Sequence, residues 1–226
     1  MMRWETERNN FYDFIIKNKV VGFFNEPLTL KSGRKSYWYV NWRTVAEDVF
    51  LLDKVSDFLL SFVKHLNLKP DCFYGVPEGA TKLGVITQYK WAFNDKNIKP
   101  GKYVLSMGRG KPKDHGELKD KYFLGIPKGK VLLVEDTTTT GSSMLKAIDD
   151  LVDNRVNIIA AIGLTNRNEI RDDGNTVEEA MKKKNVQYYA MSNAIDLIPN
   201  LNPNPNVSKH IIEYFKKYGT REIKLF

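Results

Sequence analysis

The sequence predicts an α/β fold whose central, mostly parallel sheet is flanked by helices. Val131, Leu132, Leu133 and Val134 form a short run of branched apolar residues, which is typical of a strand buried on both faces of a parallel sheet. Similar short apolar runs alternate with segments of helical periodicity along most of the chain, and this alternation predicts βαβ units. The sequence contains no internal repeat and no low-complexity linker.

The individual elements follow from the spacing of apolar residues and from the turn residues between them. The expected helices span residues 11–21, 49–66, 82–91, 142–153 and 176–185, with Gly22 ending the first one. The expected strands span residues 37–42, 72–75, 102–107, 130–134 and 158–164. A polar turn at 31–36, a Gly/Pro turn at 77–81 and a long Gly- and Lys-rich loop at 108–121 connect them.

Two carboxylates and a hydroxyl-rich turn follow the central strand. Glu135 and Asp136 stand at its carboxyl end, and residues 137–143 form a turn that leads into the next helix. Ligands of open α/β sheets bind where strands end and helices begin. Backbone N–H groups at a helix N-terminus bind phosphate, and Gly141 allows a close approach. Because the carboxylates suit hydroxyl groups or a metal ion, the segment predicts a pocket for a sugar phosphate.

The charge balance indicates an anionic ligand. The formal net charge is +8, and a basic cleft that holds a small polyanion accounts for it as well as nucleic acid does. The lysines at 182–184 and 216–217 are expected on solvated helix faces without interleaved aromatic residues. Nucleic-acid binding is therefore not expected.

The cellular environment is indicated by composition. Hydrophobic residues make up 42% of the chain, an ordinary value for a soluble globular protein. No apolar run is long enough to cross a membrane, and the N-terminal residues lack the apolar stretch of a signal peptide. The single cysteine, Cys72, is expected to be a small core residue in a reducing compartment. We therefore expect a cytoplasmic protein without a membrane partner.

The segment from Val131 to Ser143 resembles the phosphoribosyl pyrophosphate (PRPP) signature of the type I phosphoribosyltransferases. In that signature an acidic pair follows a hydrophobic strand and precedes a Thr-Gly turn. The alternative is a buried strand followed by a polar loop that happens to hold two acids. The resemblance implies that PRPP contacts Glu135, Asp136, Thr137, Thr138, Thr139, Thr140, Gly141, Ser142 and Ser143.

Further segments, in the same order along the chain, resemble the orotate phosphoribosyltransferases. Residues 30–41 are similar to the N-terminal hood of that family. This similarity implies that Lys31 reaches the active site and that Tyr37 and Trp38 lie near the base, where an aromatic ring can stack on a pyrimidine. The alternative is a basic hairpin with an aromatic core strand.

Two other segments complete the implied contacts with the substrates. Residues 75–84 resemble the pyrophosphate loop, although an ordinary βα turn has the same pattern. Arg167 matches a family arginine that helps bind the carboxylate of the base, and a guanidinium suits a planar carboxylate. The resemblance also implies base contacts from Thr139 and pyrophosphate-loop contacts from Pro77, Glu78, Gly79 and Ala80.

The loop at 109–117 contains the Lys-Asp-His-Gly core of the family's mobile catalytic loop. The resemblance implies that Arg109, Lys113 and His115 neutralise the departing pyrophosphate and that Lys111 also contacts PRPP. The family often has two adjacent basic residues at the loop start, whereas Gly110 separates Arg109 from Lys111 here. The role of the second base therefore passes to Lys111 or is lost. The alternative is a solvated, flexible hairpin tip.

The resemblance implies that orotate and PRPP react to give orotidine 5′-monophosphate and pyrophosphate, in de novo pyrimidine biosynthesis. Catalytic roles fall to Arg109, Lys113, His115 and Asp136. Mg²⁺ is expected as the cofactor, held mainly by substrate oxygens rather than by protein ligands. The resemblance also implies a homodimer with shared active sites, in which the mobile loop reaches the partner subunit.

A single phosphoribosyltransferase domain over residues 1–226 is expected, with a hood at about 1–45, a core at about 46–200 and C-terminal additions. Two alternatives remain. A purine phosphoribosyltransferase would share the PRPP signature but not the hood segment or the Lys-Asp-His-Gly loop. A PRPP-binding regulator with the same fold would usually add a DNA-binding module or lose the catalytic loop.

Overall fold

A four-stranded parallel sheet forms the centre of the fold in a computed structural model that describes residues 4–111, 113–115 and 121–225. Its strands, in spatial order, are β3 (Cys72–Gly75), β6 (Lys130–Thr138), β7 (Asn157–Asn166) and β8 (Tyr188–Asn193). Every neighbouring pair in this sheet is parallel. The predicted α/β class with a parallel sheet is therefore confirmed.

Helices flank this sheet, and two antiparallel hairpins lie outside it. The helices are α1 (Trp4–Lys17), α2 (Arg43–Glu47), α3 (Val49–His65), α4 (Thr81–Phe93), α5 (Ser142–Asp153), α6 (Val177–Lys183), α7 (Ala194–Leu197), a 3₁₀ helix (Ile198–Leu201) and α8 (Pro205–Tyr218). The hairpins pair β1 (Val21–Thr29) with β2 (Lys35–Val40) and β4 (Met107–Gly108) with β5 (Phe123–Leu124). No helix in the described part of the chain combines the length and the apolarity that a membrane crossing requires.

Side chains of the central strands alternate between two apolar layers. Phe73 and Leu132 pack into a buried cluster that also contains residues of α1, α3 and α8. Tyr74 and Leu133 pack into a second cluster with residues of α5 and α6. Each fully buried Leu or Phe contributes about 1.5–3 kcal/mol. Burial on both faces explains why the sequences of these strands are continuously apolar. Cys72 is buried in the second cluster as an unpaired thiol, as predicted.

Several element boundaries agree with the prediction, but the first helix does not. It runs from Trp4 to Lys17 instead of 11–21, and Gly22 lies inside β1 rather than ending the helix. Val20 and Val21 are buried next to this helix as part of the hairpin segment. Periodicity alone joins the apolar residues of the two neighbouring elements into one helix.

The strand expected at 102–107 is also largely wrong. Only Met107 and the following glycine form a strand there, paired with β5. Lys102 and Tyr103 both bond to the carboxylate of Asp95, with the Tyr103 hydroxyl donating at 2.8 Å. These polar contacts bind the segment to the loop after α4, in a conformation that is not a strand.

Gly84 allows helix α4 to approach strand β3 closely. A methyl group at this position would lie 2.4 Å from the backbone nitrogen of Gly75 and 2.8 Å from its Cα. We expect Gly84→Ala to lower the free energy of unfolding by about 1–3 kcal/mol, because backbone rather than a flexible side chain must move. Chemical denaturation measures this loss. Gly22→Ala is the matched control, since its methyl group would meet only a phenylalanine ring at 3.8 Å. Equal stability of the two variants would contradict the assignment.

Candidate active site

A cavity of about 500 Å³ lies between the carboxyl ends of the central strands and the β1–β2 hairpin. It gathers most of the residues that the sequence assigned to a site, although they are far apart in the chain. Those in its lining are Lys31, Pro77, Glu78, Gly79, Glu135, Asp136, Thr137, Thr139, Thr140, Gly141, Ser142, Ser143 and Arg167.

The acidic pair belongs to a strand that is longer than predicted. Strand β6 continues through Glu135 and Asp136 to Thr138, and Glu135 is paired with Gly163 of β7. Thr138 is fully buried and lies outside the cavity lining, which corrects its assignment as a PRPP contact. Its hydroxyl donates to Glu135 Oε2 at 3.3 Å. Thr138 therefore supports the acid rather than the ligand.

Burial changes the protonation of both acids. Desolvation, with the neighbouring charge of Asp136, raises the pKa of Glu135 from 4.5 to about 8. Desolvation also raises the pKa of Asp136, while backbone N–H groups and the positive charge of Arg43 oppose the increase. Burial therefore favours the protonated form of Glu135 in the free protein, whereas a ligand that donates hydrogen bonds to the pair would favour its ionised form.

The turn before α5 has the features of a phosphate site. Gly141 has a φ of +69°, a left-handed conformation that favours glycine, and no side chain caps the helix that follows. The hydroxyls of Thr140 and Ser142 lie 2.9 Å apart. Arg171 donates to the backbone oxygen of Thr140 and so supports the turn from outside. The N-terminus of this 12-residue helix, lined with hydroxyls, favours an anion.

The hairpin contributes a lysine and one aromatic ring to the cavity. Lys31 Nζ lies 3.5 Å from Ser143 Oγ, beside the start of α5. Tyr39 is 36% exposed and lines the cavity. The assignment of Tyr37 and Trp38 to the base is corrected, because neither belongs to the lining. Alternation along β2 buries Trp38 completely, and Tyr37 stacks on His210 with ring centroids 4.0 Å apart.

Arg167 is the most deeply buried charged group of the lining. It is 1% exposed, and its Nε donates to Glu169 Oε1 at 2.7 Å. Its NH1 has no hydrogen-bond partner within the described residues. A buried donor without a partner costs about 1–3 kcal/mol. A ligand with an acceptor oxygen at this end of the cavity would remove that cost.

The basic loop is only partly described. Arg109 lines a second cavity of about 270 Å³, which shares Lys31 and Ser143 with the first. Lys111, Lys113 and His115 are exposed and line neither cavity. Pro112 and residues 116–120 of the predicted loop lie outside the described residues.

The predicted pyrophosphate loop contacts the start of this basic loop. A methyl group on Gly110 would lie 2.6 Å from Glu78 Oε1, so the missing side chain leaves room for that carboxylate. Ala80 lies outside the lining, and its N–H donates to the Val76 oxygen at 3.2 Å. This placement corrects the assignment of Ala80 as a ligand contact.

Sequence reasoning missed several lining residues on the hairpin side. Arg43 is the most important, because its positive charge opposes the rise in the pKa of Asp136 that burial causes. It follows the aromatic run directly and opens α2, a helix that the sequence analysis did not predict. Trp42 anchors this segment by donating from Nε1 to Thr165 Oγ1 at 3.1 Å. The other missed lining residues of the hairpin side are Leu30, Ser32, Tyr39, Val40 and Asn41, and Val76 was missed directly after β3. The sequence signal that could have identified Arg43 is a basic residue directly after the aromatic run of the hood.

The donor chemistry of the cavity suits Mg²⁺. Glu135 and Asp136 offer carboxylate oxygens, the ligands that this hard ion prefers. Across residues 4–111, 113–115 and 121–225, no group of three or more His, Cys, Asp and Glu side chains is placed to hold a metal ion. An ion bound to these acids would therefore complete its coordination with substrate oxygens and water.

Comparison with known proteins gives concordant results for sequence and structure. No family model matches the chain. The chain is 28% identical over 181 residues to an orotate phosphoribosyltransferase of Methanosphaera stadtmanae, covering 80% of this chain and 90% of the relative. It is 31% identical over 165 residues to that of Rhodopseudomonas palustris, covering 69% and 80%. The crystal structure of the Francisella tularensis orotate phosphoribosyltransferase superposes with a TM-score of 0.68 at 21% identity, over 93% of this chain and 99% of that one.

The parallel sheet, the acidic pair at the end of its central strand and the uncapped start of α5 define a phosphoribosyltransferase of the type I fold. The 31% identity to the Rhodopseudomonas palustris relative, which covers 80% of that relative, identifies one family within this class. The chain belongs to the orotate phosphoribosyltransferase family.

Proposed function

We propose that this protein transfers the 5-phosphoribosyl group of PRPP to orotate, giving orotidine 5′-monophosphate and pyrophosphate with Mg²⁺ as cofactor. One observation carries the proposal: a single cavity is lined by the acidic pair, the start of α5 and the buried Arg167. These three features match the ribose hydroxyls, the 5′-phosphate and the carboxylate of the base. Membership of the family supports the same substrates.

The proposed mechanism separates charge inside this cavity. The start of α5 holds the 5′-phosphate, and Glu135 and Asp136 accept hydrogen bonds from the ribose hydroxyls. As the bond from the anomeric carbon to the pyrophosphate oxygen breaks, positive charge develops on the ribose near these acids. Preorganised charges of this kind stabilise a transition state by about 2.7–4 kcal/mol each. When bound, Mg²⁺ neutralises part of the diphosphate charge.

The hairpin and Arg167 position the base. The unpartnered NH1 of Arg167 donates to the orotate carboxylate, a contact that purine bases cannot make because they lack this group. Tyr39, rather than Tyr37 or Trp38, offers an aromatic face to the pyrimidine ring. This arrangement favours orotate over the purine alternative.

The basic loop completes the site in a homodimer. Lys113 and His115 line neither cavity of their own chain, and the proposal places them over the diphosphate of the partner's site. Exposed apolar side chains on α3 and α4, including Val49, Phe50 and Phe93, supply surface for such an association. The buried, unpaired Cys72 supports a reducing, cytoplasmic location.

An absorbance assay of base consumption with PRPP and Mg²⁺ tests the proposed function. Orotate, adenine, hypoxanthine and uracil are offered separately to the full chain. We expect rapid consumption of orotate alone. Preferential use of a purine base would replace the proposal with the purine alternative, and tight PRPP binding without turnover of any base would favour a regulator.

Binding of PRPP should release a proton from Glu135. The pKa of this residue is about 8 in the free protein, and hydrogen bonds from ribose hydroxyls favour its ionised form. Calorimetry at pH 7 in two buffers of different ionisation enthalpy measures the release. We expect Glu135→Gln to reduce it, whereas Glu47→Gln, an exposed acid, leaves it unchanged. The difference in proton release between Glu135→Gln and the wild type should vanish near pH 9, where Glu135 is already mostly ionised before PRPP binds.

The same pKa has a consequence for stability. Because the folded-state pKa of Glu135 lies above 4.5, the unfolded chain loses this proton first, and ionisation opposes folding. The stability of the ligand-free protein should therefore fall as pH rises from about 4.5 to about 8. Glu135→Gln should remove that part of the pH dependence. An identical pH dependence of unfolding in the variant and the wild type would show that Glu135 titrates normally.

A further inference from the structure

Arg167 is held in one orientation by contacts on several sides. Its Nε donates to Glu169 Oε1 at 2.7 Å, and its NH2 lies 3.3 Å from Ser36 Oγ and 3.5 Å from the Tyr214 hydroxyl. Its Cζ lies 3.6 Å from the centroid of the Trp38 ring. Only NH1 lacks a hydrogen-bond partner among the described residues. The guanidinium is thus fixed before any ligand arrives, with one nitrogen left for it.

Glu169 connects Arg167 to a second arginine. Its side chain is 0% exposed, and its other oxygen, Oε2, accepts from Arg34 NH1 at 2.9 Å. Each carboxylate oxygen therefore holds one guanidinium. Arg34 is held in turn by the Ile170 oxygen at 2.7 Å and by Asp172 Oδ1 at 2.8 Å.

The charges of this cluster do not balance in the protein interior. Arg34, Arg167 and Glu169 together carry one positive charge in excess, with side chains that are at most 7% exposed. Asp172 is a weak counterion because its side chain is 86% exposed and water screens its charge. A buried charge requires a partner. The unpartnered NH1 of a cavity-lining residue is where an anionic ligand can supply it.

The cluster also links the two ends of the cavity. Arg34 lies three residues after Lys31, on the turn between β1 and β2. Lys31 approaches Ser143 at the start of α5, whereas Arg34 bonds to Glu169 behind Arg167. The turn between β1 and β2 therefore contacts the proposed phosphate site directly through Lys31. It reaches the proposed base site indirectly, because Arg34 bonds to the Glu169 carboxylate that also holds Arg167.

We infer that Glu169 is a positioning residue for Arg167, and that the Arg34–Glu169–Arg167 cluster gives the site its preference for a base that carries a carboxylate. Glu169 does not touch the ligand. It fixes the plane of the guanidinium of a cavity-lining residue and leaves NH1 without a hydrogen-bond partner among the described residues. This inference rests on the proposed function and names the residues that produce its specificity.

Glu169→Gln tests the inference. The amide keeps the shape of the side chain but presents an NH₂ group to one of the two guanidiniums. Because both groups are donors, the hydrogen bond between them is lost. We expect the affinity for orotidine 5′-monophosphate to fall about 10- to 100-fold, and the affinity for uridine 5′-monophosphate, which lacks the carboxylate, to change less than threefold. Calorimetry on the full chain measures both. The KM for orotate should rise by a similar factor, with a smaller change in kcat and in the KM for PRPP.

Asp172→Asn is the matched control, because it makes the same chemical change at the exposed partner of Arg34. We expect it to leave both affinities unchanged. If Glu169→Gln does not fold, Arg34→Lys provides the second variant. It keeps the charge beside Glu169 but loses the fork of the guanidinium, and a smaller loss, selective for the carboxylated nucleotide, is expected.

The outcomes separate the inference from the function on which it rests. Absence of orotate turnover in the wild-type protein overturns the proposed function. Normal turnover in the wild type, together with an unchanged ratio of the two nucleotide affinities in Glu169→Gln, overturns only the inference. Equal loss of affinity for both nucleotides also overturns it, because that result indicates a general structural role.

Discussion

Replacement of Lys113 by alanine is expected to lower the turnover number about 100- to 1000-fold, because the variant loses the positive charge that we propose stabilises the developing diphosphate. The affinity for PRPP should change far less, since the charge acts mainly when the bond breaks. The side chain is exposed, and the local structure depends on a backbone bond from Lys113 N to Lys121 O at 3.1 Å. Stability should therefore be unchanged. Steady-state kinetics measure the turnover number and the apparent affinity for PRPP, and a thermal melting curve measures the stability.

Lys99→Ala is the control, because it removes an exposed lysine from another loop. A turnover number within twofold of the wild type for Lys113→Ala would contradict the catalytic assignment of the loop.

Mixing Lys113→Ala with Asp136→Asn tests whether the loop acts in the site of the partner subunit. If the loop acts in the partner's site, each mixed dimer regains one intact site, and activity recovers to about a quarter of the wild-type value. No recovery would place the loop over its own chain's cavity.

Replacement of Arg167 by alanine is expected to lower kcat/KM for orotate about 100-fold. A charge-assisted hydrogen bond is worth about 1.5–3 kcal/mol, and Glu169 also loses one of its two guanidinium partners. Binding of PRPP should be largely retained, because the phosphate and ribose contacts that we propose lie at the start of α5 and at the acidic pair, away from Arg167. Steady-state kinetics with each substrate varied in turn distinguish the two effects.

Arg221→Ala is the control, because its ion pair with Asp196 is exposed. Melting curves show how far the buried cluster also stabilises the fold. A kcat/KM for orotate close to the wild-type value in Arg167→Ala would contradict the assignment of the base site. An equal loss in the apparent affinity for PRPP would indicate that the cavity as a whole had collapsed.

The segments that sequence analysis located best are those whose information is local. Helices α3 and α5 begin at the expected residues, because their apolar spacing and the turn residues before them are contained in the segment itself. The acidic pair and the Thr/Gly/Ser turn were also found in this way, since a strand, a turn and a helix are contiguous there. The extension of β6 to Thr138 was missed because its pairing with β7 continues through polar residues.

The elements that were missed depend on distant partners. Strand β8 begins with Tyr188 and Tyr189 and ends in polar residues, and its pairing with β7 makes it a strand. The choice of aromatic residue on the hood strand also depends on distant partners. Ser36 and Trp38 are buried because of the way the hairpin packs, so that Tyr39 rather than Trp38 lines the cavity.

The amino-acid sequence by itself determined the class of fold, because apolar runs alternate with segments of helical spacing along most of the chain. It also determined the position of the acidic pair and of the helix N-terminus beside it, because these features lie in one contiguous segment. Only the tertiary structure decided which side chains meet across the cavity. Arg34 bonds to Glu169, 135 positions away along the chain, and Arg43 influences Asp136 through space. Burial and charge coupling between residues so far apart arise from packing, and no local pattern of residues records them.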